Sequence, residues 1–542
     1  MSLNKDTLDY EAPGHPSSHD NNSSEIDLLS YHEKNAGRLV IDPQKVKFEL
    51  GESISSQLKL TKDGTKVLWP QPTDSPDDPQ NWSDWRKTGQ LIIITLAAIV
   101  PDFDSGIGTA ALFELAKQYD TTTGVINDLT SKRLQLEYIL AWMGWPICRH
   151  AHETLRAAPC TLLVTGLRLG VSRRSDFRTD FENIHGTTPQ VTGLYVITDM
   201  YPFHLQARKL NIWTMGFIIS PFLSPFAFGF LVARASWRWA YGIGSIYSAI
   251  VVLVIIMFGE ETMYDRTVKP IPEHPTRGLR YRIETLIGIT GVKMAKYRPS
   301  WKESILSPLN VVWRPHLMMI LWFEAMLFGF SIGINGTNPV FLGSPRPVGY
   351  GFGPFAIAGG YGTPIASVAV IIGQFIGRYM NDWIMNVSIR RNKGVFEAES
   401  RLWACYVAMP LYVCGFVTLG ASFEKHLSIG ALIMGWGIVV LAVLMNTVAV
   451  YAYCNDCFPK HKGEISALIN LARTLGGFSV AYFQVPWATK HGAIQTFGVE
   501  AAIVIGLFLM VVPALQIKGR RLRVRSTFIK LRQFRCLHVL NL

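Results

Sequence analysis

An all-α membrane protein folded as two helical bundles is what this 542-residue sequence predicts. Three observations carry that reading. Charged residues supply only 17% of the chain, against about 25% in a soluble domain, and the mean hydropathy is +0.20. The apolar residues gather into runs of about 20, the length a helix needs to cross roughly 30 Å of hydrocarbon. Lysine and arginine concentrate in alternate loops between those runs, the bias that orients a multi-span protein.

The chain divides in order. Residues 1–87 are rich in Ser, Asp, Pro and Asn, as in Ser17-Ser18-His19-Asp20-Asn21-Asn22. They bury too little apolar surface to offset ordering entropy and predict a disordered cytoplasmic tail. No basic n-region followed by an apolar core opens the chain, so insertion falls to the first span. Spans are expected at about 90–112, 189–200, 210–232 and 239–258, and then at about 316–336, 354–379, 402–420, 428–452, 465–487 and 497–517. The N-terminal bundle therefore covers 88–258, a central loop 259–315, the C-terminal bundle 316–517 and a basic tail 518–542. The loop holds Arg266, Lys269, Arg277, Arg280, Arg282, Lys293, Lys296 and Arg298, and the tail holds Lys518, Arg520, Arg521, Arg523 and Arg525. Both are expected on the cytoplasmic side, while the loop 337–353, with Arg346 alone, is expected outside. That parity puts both termini in the cytoplasm.

The same distribution removes other classes. The net charge of +12 sits in loops and at the end, not along one helical face, so topology explains it and nucleic acid does not. Seven cysteines are scattered, several within apolar runs, and indicate no disulfide framework. Cys454-Asn455-Asp456-Cys457 has the spacing of half a zinc site, but no second pair matches it, and it reads as a helix end. No nucleophile with its base, complete metal cluster or phosphate loop is present. The sequence therefore predicts neither an enzyme nor a bound cofactor or metal.

A family resemblance emerges along the chain. Asp78-Pro79-Gln80-Asn81-Trp82-Ser83-Asp84-Trp85-Arg86-Lys87, before the first span, resembles the approach to span one in the fungal twelve-span drug:H⁺ antiporter group of the major facilitator superfamily. Thr198-Asp199-Met200-Tyr201-Pro202, Gln206-Ala207-Arg208-Lys209, Trp237-Arg238-Trp239 and Gly259-Glu260-Glu261-Thr262-Met263-Tyr264 are similar to later motifs of that group. The resemblance covers about 78–130 and 187–520 and is nearest to the branch that handles polyamines and related organic cations. It implies two six-helix bundles, a monomer in the plasma membrane, a small-molecule substrate and coupling to protons.

One stretch breaks the pattern. Between Ser131 and Gly186 the family places spans two and three, yet Tyr138–Cys148 and Ala157–Leu167 reach only about half a spanning length. Arg149, Arg156, Arg168, Arg173, Arg174, Asp176, Arg178, Asp180 and Glu182 would each cost about 2.5–3.5 kcal/mol at mid-membrane. A shifted reading frame or gene-model error and a natural ten-span variant both remain open, and sequencing the transcript separates them. The residues after about Arg525 are likewise unlike a family terminus.

Candidate transport residues are ionisable or polar groups within spans, which are functional by default. Asp102 and Asp104 interrupt span one after Pro101, and Glu324 lies about nine residues into span seven, the symmetry mate of span one. A carboxylate facing a central cavity can hold a proton or pair with a cationic substrate. Asn335, Asn338, Asn446, Tyr451 and Tyr453 offer hydrogen bonds and aromatic faces to an organic cation, or else join neighbouring helices. Pro221, Pro225 and Gly229 resemble the antiporter proline-glycine motif of span five. Ser220, Ser224 and Phe228 stand where that motif has glycines, which tilts the reading from efflux toward uptake. Gly373 and Gly377 form a small-residue packing pair. Asp382, Arg390 and Arg391 resemble the second-half gating motif, with Asp199 and Arg208 as the first-half counterpart. The rivals are a multidrug exporter, a non-transporting nutrient sensor and a defective gene product.

Overall fold

The computed structural model describes residues 38–50, 52–56, 58–121, 188–260, 262, 264, 283, 306, 308–309, 311–346, 349–361, 364–458 and 461–540. The anomalous stretch 131–186, residues 1–37 and most of the central loop lie outside the described residues. The first half comprises β1 (Arg38–Val40), α1 (Pro43–Leu50), α2 (Asp84–Ala110), α3 (Leu112–Gln118), α4 (Thr188–Met200), α5 (Phe203–Val232) and α6 (Arg238–Phe258). The second comprises α7 (Pro315–Gly343), α8 (Pro354–Tyr361), α9 (Pro364–Arg391), β2 (Val395–Glu397), α10 (Trp403–Lys425), α11 (Ile429–Cys457), α12 (Lys462–His491) and α13 (Ala493–Leu540).

Each expected span falls on these helices, that at 354–379 being divided between α8 and α9. Among the described residues α2, α5, α6, α7, α10, α11 and α13 are long and apolar enough to cross a membrane. Helices α9 and α12 are of similar length, 28 and 30 residues, but carry charges along their course. Helix starts follow local chemistry. Pro315 opens α7 at its first position, where its missing N–H costs nothing, and the Ser428 hydroxyl caps α11 by accepting from the Ala431 amide.

Proline inside a helix frees the carbonyl four residues earlier, which must find another donor away from water. Helix α5 contains Pro221 and Pro225 and packs along α2, to whose carbonyls the serines of its motif donate. Ser220 Oγ donates to the Ile99 carbonyl at 2.9 Å and Ser224 Oγ to the Phe103 carbonyl at 2.5 Å. Gly106 of α2 faces Ser224 so closely that a Cβ there would lie 2.6 Å from the serine Cβ. Phe228 fills the remaining space against Phe103, with ring centroids 5.0 Å apart. The serines and the phenylalanine thus keep a tight α2–α5 seam without the glycines.

In the second half α7 crosses α12 at glycines. A Cβ on Gly329 would lie 2.4 Å from the Gly476 carbonyl carbon, and one on Gly333 would lie 2.1 Å from Val480 Cγ1. Small residues let two backbones touch, which is how membrane helices gain dispersion energy without a hydrophobic drive.

The leader corrects the expectation of a disordered tail over its described part. Strand β1 pairs antiparallel with β2, with Arg38 opposite Glu397, Leu39 opposite Phe396 and Val40 opposite Val395. Trp69 is fully buried and its indole N–H donates to the Val40 carbonyl at 3.0 Å. Lys59 Nζ ties down the following turn through the Pro72 and Thr73 carbonyls and Asp74, and that hydrogen bond and charge hold the Asp74 carboxyl below its ordinary range. Composition missed this because the ordering surface is supplied by β2, far along the chain.

Candidate functional site

Glu324 is fully buried in the third turn of α7. A carboxylate there needs partners to offset its lost hydration, and two helices supply them. From α11, Thr447 Oγ1 donates to it at 2.9 Å and Asn446 Nδ2 at 3.3 Å. From α12, Arg473 Nε lies 3.9 Å from Glu324 Oε1. The Arg473 guanidinium carbon sits 3.4 Å above the Phe328 ring, one turn beyond Glu324, an arrangement that favours the cation. Asn470 Oδ1 accepts from Tyr451 Oη at 2.9 Å and from Arg473 at 3.5 Å. Tyr451 in turn meets Trp213 of α5 edge-on, with centroids 6.5 Å apart.

The structure therefore gathers Glu324, Asn446 and Tyr451 into one cluster bordering the first half. Sequence reading passed over Arg473, although a lone arginine inside an apolar helix is itself a signal. It also passed over Glu500 of α13, whose two carboxylate oxygens accept from Gln484 Nε2 at 3.2 and 3.0 Å, while Gln484 accepts from Thr337 at 2.6 Å. Tyr453 and Asn338 are buried elsewhere on their helices.

Asn335 works at the junction of the halves. Pro225 has no N–H, so the Pro221 carbonyl lacks its helical donor, and Asn335 Nδ2 of α7 donates to it at 3.3 Å. Gly229 lies near enough to Ala358 of α8 that a Cβ would approach its Cβ to 2.6 Å. In α2, Asp102 Oδ2 accepts from Gln190 Nε2 of α4 at 2.7 Å, and the same amide reaches the Ala98 carbonyl at 3.2 Å. The Asp104 side chain lies outside the described residues.

At one end of the molecule the halves are joined by charge. Arg208 Nε of α5 donates to Asp382 Oδ2 of α9 at 2.5 Å. This bridge joins Arg208, read as part of the first-half gate, to Asp382 of the second-half motif, because the α9 terminus reaches the start of α5. Nearby, Asn455 Nδ2 donates to Gln206 Oε1 at 3.5 Å, and Tyr195 Oη donates to Glu464 Oε2 at 3.3 Å. Asn211 and Gly377 sit one turn inward on the same two helices. Arg390 and Arg391 are exposed in the last turn of α9. Gly373 packs on Leu444, 2.7 Å from a virtual Cβ. Cys454 and Cys457 are buried, and no group of His, Cys, Asp or Glu among the described residues is arranged to hold a metal.

The bridge is half exposed on the Arg208 side, so its loss costs at most about 1 kcal/mol, a severalfold shift in any equilibrium that separates the halves. Asp382→Asn is expected to speed maleimide labelling of Asn211→Cys by that factor, and Arg208→Asp with Asp382→Arg to restore the slow rate. Equal rates in all three backgrounds would remove the bridge from the closed end.

Seven helices among the described residues, long and apolar enough to cross a membrane, fit a multi-pass membrane protein, and its family makes it a transporter and not an enzyme. The chain belongs to the Major Facilitator Superfamily, whose profile matches residues 187–481, more than half its length. It is similar, at 22% identity, to an uncharacterized MFS-type transporter of Schizosaccharomyces pombe, with 86% of this chain and 89% of that protein aligned. It is 21% identical to the efflux pump radE of Floropilus chiversii, over 86% of each. Its fold is similar to that of a peptide transporter POT bound to alafosfalin, with a TM-score of 0.54 at 14% identity, covering 82% of this chain and 97% of that one.

Proposed function

We propose that this protein is a proton-coupled secondary transporter of a small organic cation such as a polyamine. The observation that carries the reading is the burial of Glu324 between Asn446, Thr447 and Arg473. A proton arriving on Glu324 removes the negative charge that Arg473 faces, leaving the guanidinium to Phe328, Tyr451 and Asn470. Proton binding is thereby translated into movement of a positive group between α7 and α12. Asp102, with Asp104 a half-turn on, offers the cation its counter-charge from the first half. The bundles at 88–258 and 316–517 rock about this centre, with 259–315 as the linker and both termini cytoplasmic in the plasma membrane, as a monomer. The basic loops support that orientation.

Efflux is the second reading, favoured by the resemblance to radE. Flux into and out of proteoliposomes under an imposed pH gradient, with radiolabelled spermidine, separates the two directions. Asp102→Asn is expected to lower spermidine flux about tenfold, since a half-buried hydrogen-bonded contact to a charge contributes about 1.5 kcal/mol. Full flux in both Asp102→Asn and Asp104→Asn would exclude a first-half cation site.

A further inference from the structure

We infer that residues 38–69 form a latch that fastens the two halves at the end bearing Arg208 and Asp382, and that this latch sets how readily that end opens. The leader is attached to both halves at once. On the second half, β1 continues its pairing beyond the strand, with the Ile41 amide donating to the Gly394 carbonyl at 3.3 Å. On the first half, the Phe203 amide at the start of α5 donates to the Trp69 carbonyl at 2.8 Å. That amide belongs to the first turn of α5 and has no partner within the helix, so Trp69 satisfies a donor the first half leaves open.

The leader's two attachments are themselves joined. Val67 N–H donates to the Ile41 carbonyl at 2.9 Å, and the Trp69 indole donates to the Val40 carbonyl. Around these bonds one apolar cluster takes members from all three parts: Val40, Ile41, Val46, Leu58, Val67 and Trp69 of the leader, Phe203 of α5, and Met385, Val395 and Phe396 of the second half. Phe203 and Phe396 meet edge-on with centroids 5.2 Å apart, and the Arg401 guanidinium lies 4.9 Å over Phe396. Arg401 is fixed by Asp456 at 3.1 Å, so the second-half wall of the cluster is rigid.

The next stretch of leader is fastened to the first half. Lys87 Nζ of α2 donates to the Gln80 carbonyl at 2.8 Å, and Thr73 Oγ1 contacts Tyr264 Oη at 3.1 Å. When the halves part at this end, Phe203 must leave Met385 and Phe396. The leader cannot follow both, so β1 leaves β2, Trp69 leaves β1, or Trp69 leaves Phe203. In each case the Trp69 cluster opens to water, and its apolar burial opposes that step. The opposing term belongs to the leader and is separate from the Arg208–Asp382 bridge, which acts on the same motion from the membrane side.

The latch can be tested without knowing the substrate. Asn211→Cys, buried on α5 beside the bridge, reports opening through its rate of maleimide labelling in the full-length protein in liposomes. A protease site placed in the exposed turn at Asp63-Gly64 allows the intact, folded protein to be cut afterwards, separating β1 from Trp69 in the chain. Cutting and washing out the leader is expected to accelerate labelling at least tenfold. Trp69→Ala is expected to act the same way uncut, with Trp69→Phe intermediate because it keeps the packing and loses the indole hydrogen bond. Unchanged labelling after leader removal, or in Trp69→Ala protein that elutes as a single folded species, would overturn the latch. Because the readout is accessibility, failure of the polyamine reading leaves this test intact.

Discussion

Glu324→Gln protein exchanges substrate across the membrane but no longer accumulates it in response to a pH gradient. Gln keeps a hydrogen-bonding head for Thr447 and Asn446 and cannot take up the proton. The same substitution leaves Arg473 buried without its carboxylate. Breaking a buried pair from one side costs about 3–5 kcal/mol, so the single variant should also unfold at a lower temperature than the parent. Pairing it with Arg473→Gln is expected to recover most of that thermal stability, since no orphaned charge remains, while coupling stays lost. Two measurements on the same preparations decide the matter: a thermal midpoint in detergent and pH-driven uptake in proteoliposomes. Retention of full pH-driven accumulation by Glu324→Gln would move the proton site elsewhere in the chain.

The second large effect concerns the α7–α12 crossing. Gly329→Leu is expected to yield no monodisperse protein. Its Cβ alone would sit 2.4 Å from the Gly476 carbonyl carbon, and in the opposite direction a Cβ on Gly476 would sit 2.0 Å from the Ala325 carbonyl oxygen. Backbone cannot swing aside as a side-chain tip can, so the helices must separate along their length, and Glu324 and Arg473, on these same two helices, would separate with them. Gly498→Ala is the control, because nothing lies within 4 Å of a Cβ there. Replacing that helical glycine should leave stability unchanged or raise it by about 0.5–1 kcal/mol. Size-exclusion profiles of the two variants give the comparison directly.

The helices were legible in the sequence because a membrane span is a local property: about 20 apolar residues announce themselves without reference to a partner. Glu324, Asn446 and Tyr451 were legible for the same reason, as polar groups where lipid-facing chain has none. What escaped was pairwise. Arg208 was legible as a gating residue of the first half, whereas its partner Asp382 stands on the other half. Arg473 and Glu500 are the same kind of signal as Glu324, ionisable groups inside apolar helices. The leader was the largest miss. Leu39-Val40-Ile41 and Val67-Leu68-Trp69 are short apolar islands in a polar stretch, too brief for any periodicity to register, and the strand that orders them begins at Val395.

Prolines in membrane helices are usually discussed for the bend they introduce. Pro225 has another effect, through the carbonyl it leaves without a donor at Pro221. Asn335 reaches that oxygen from the opposite half. The missing amide thus turns the helix into a socket: with an N–H at position 225 the carbonyl would have closed on its own helix, and the two halves would share one polar tie fewer.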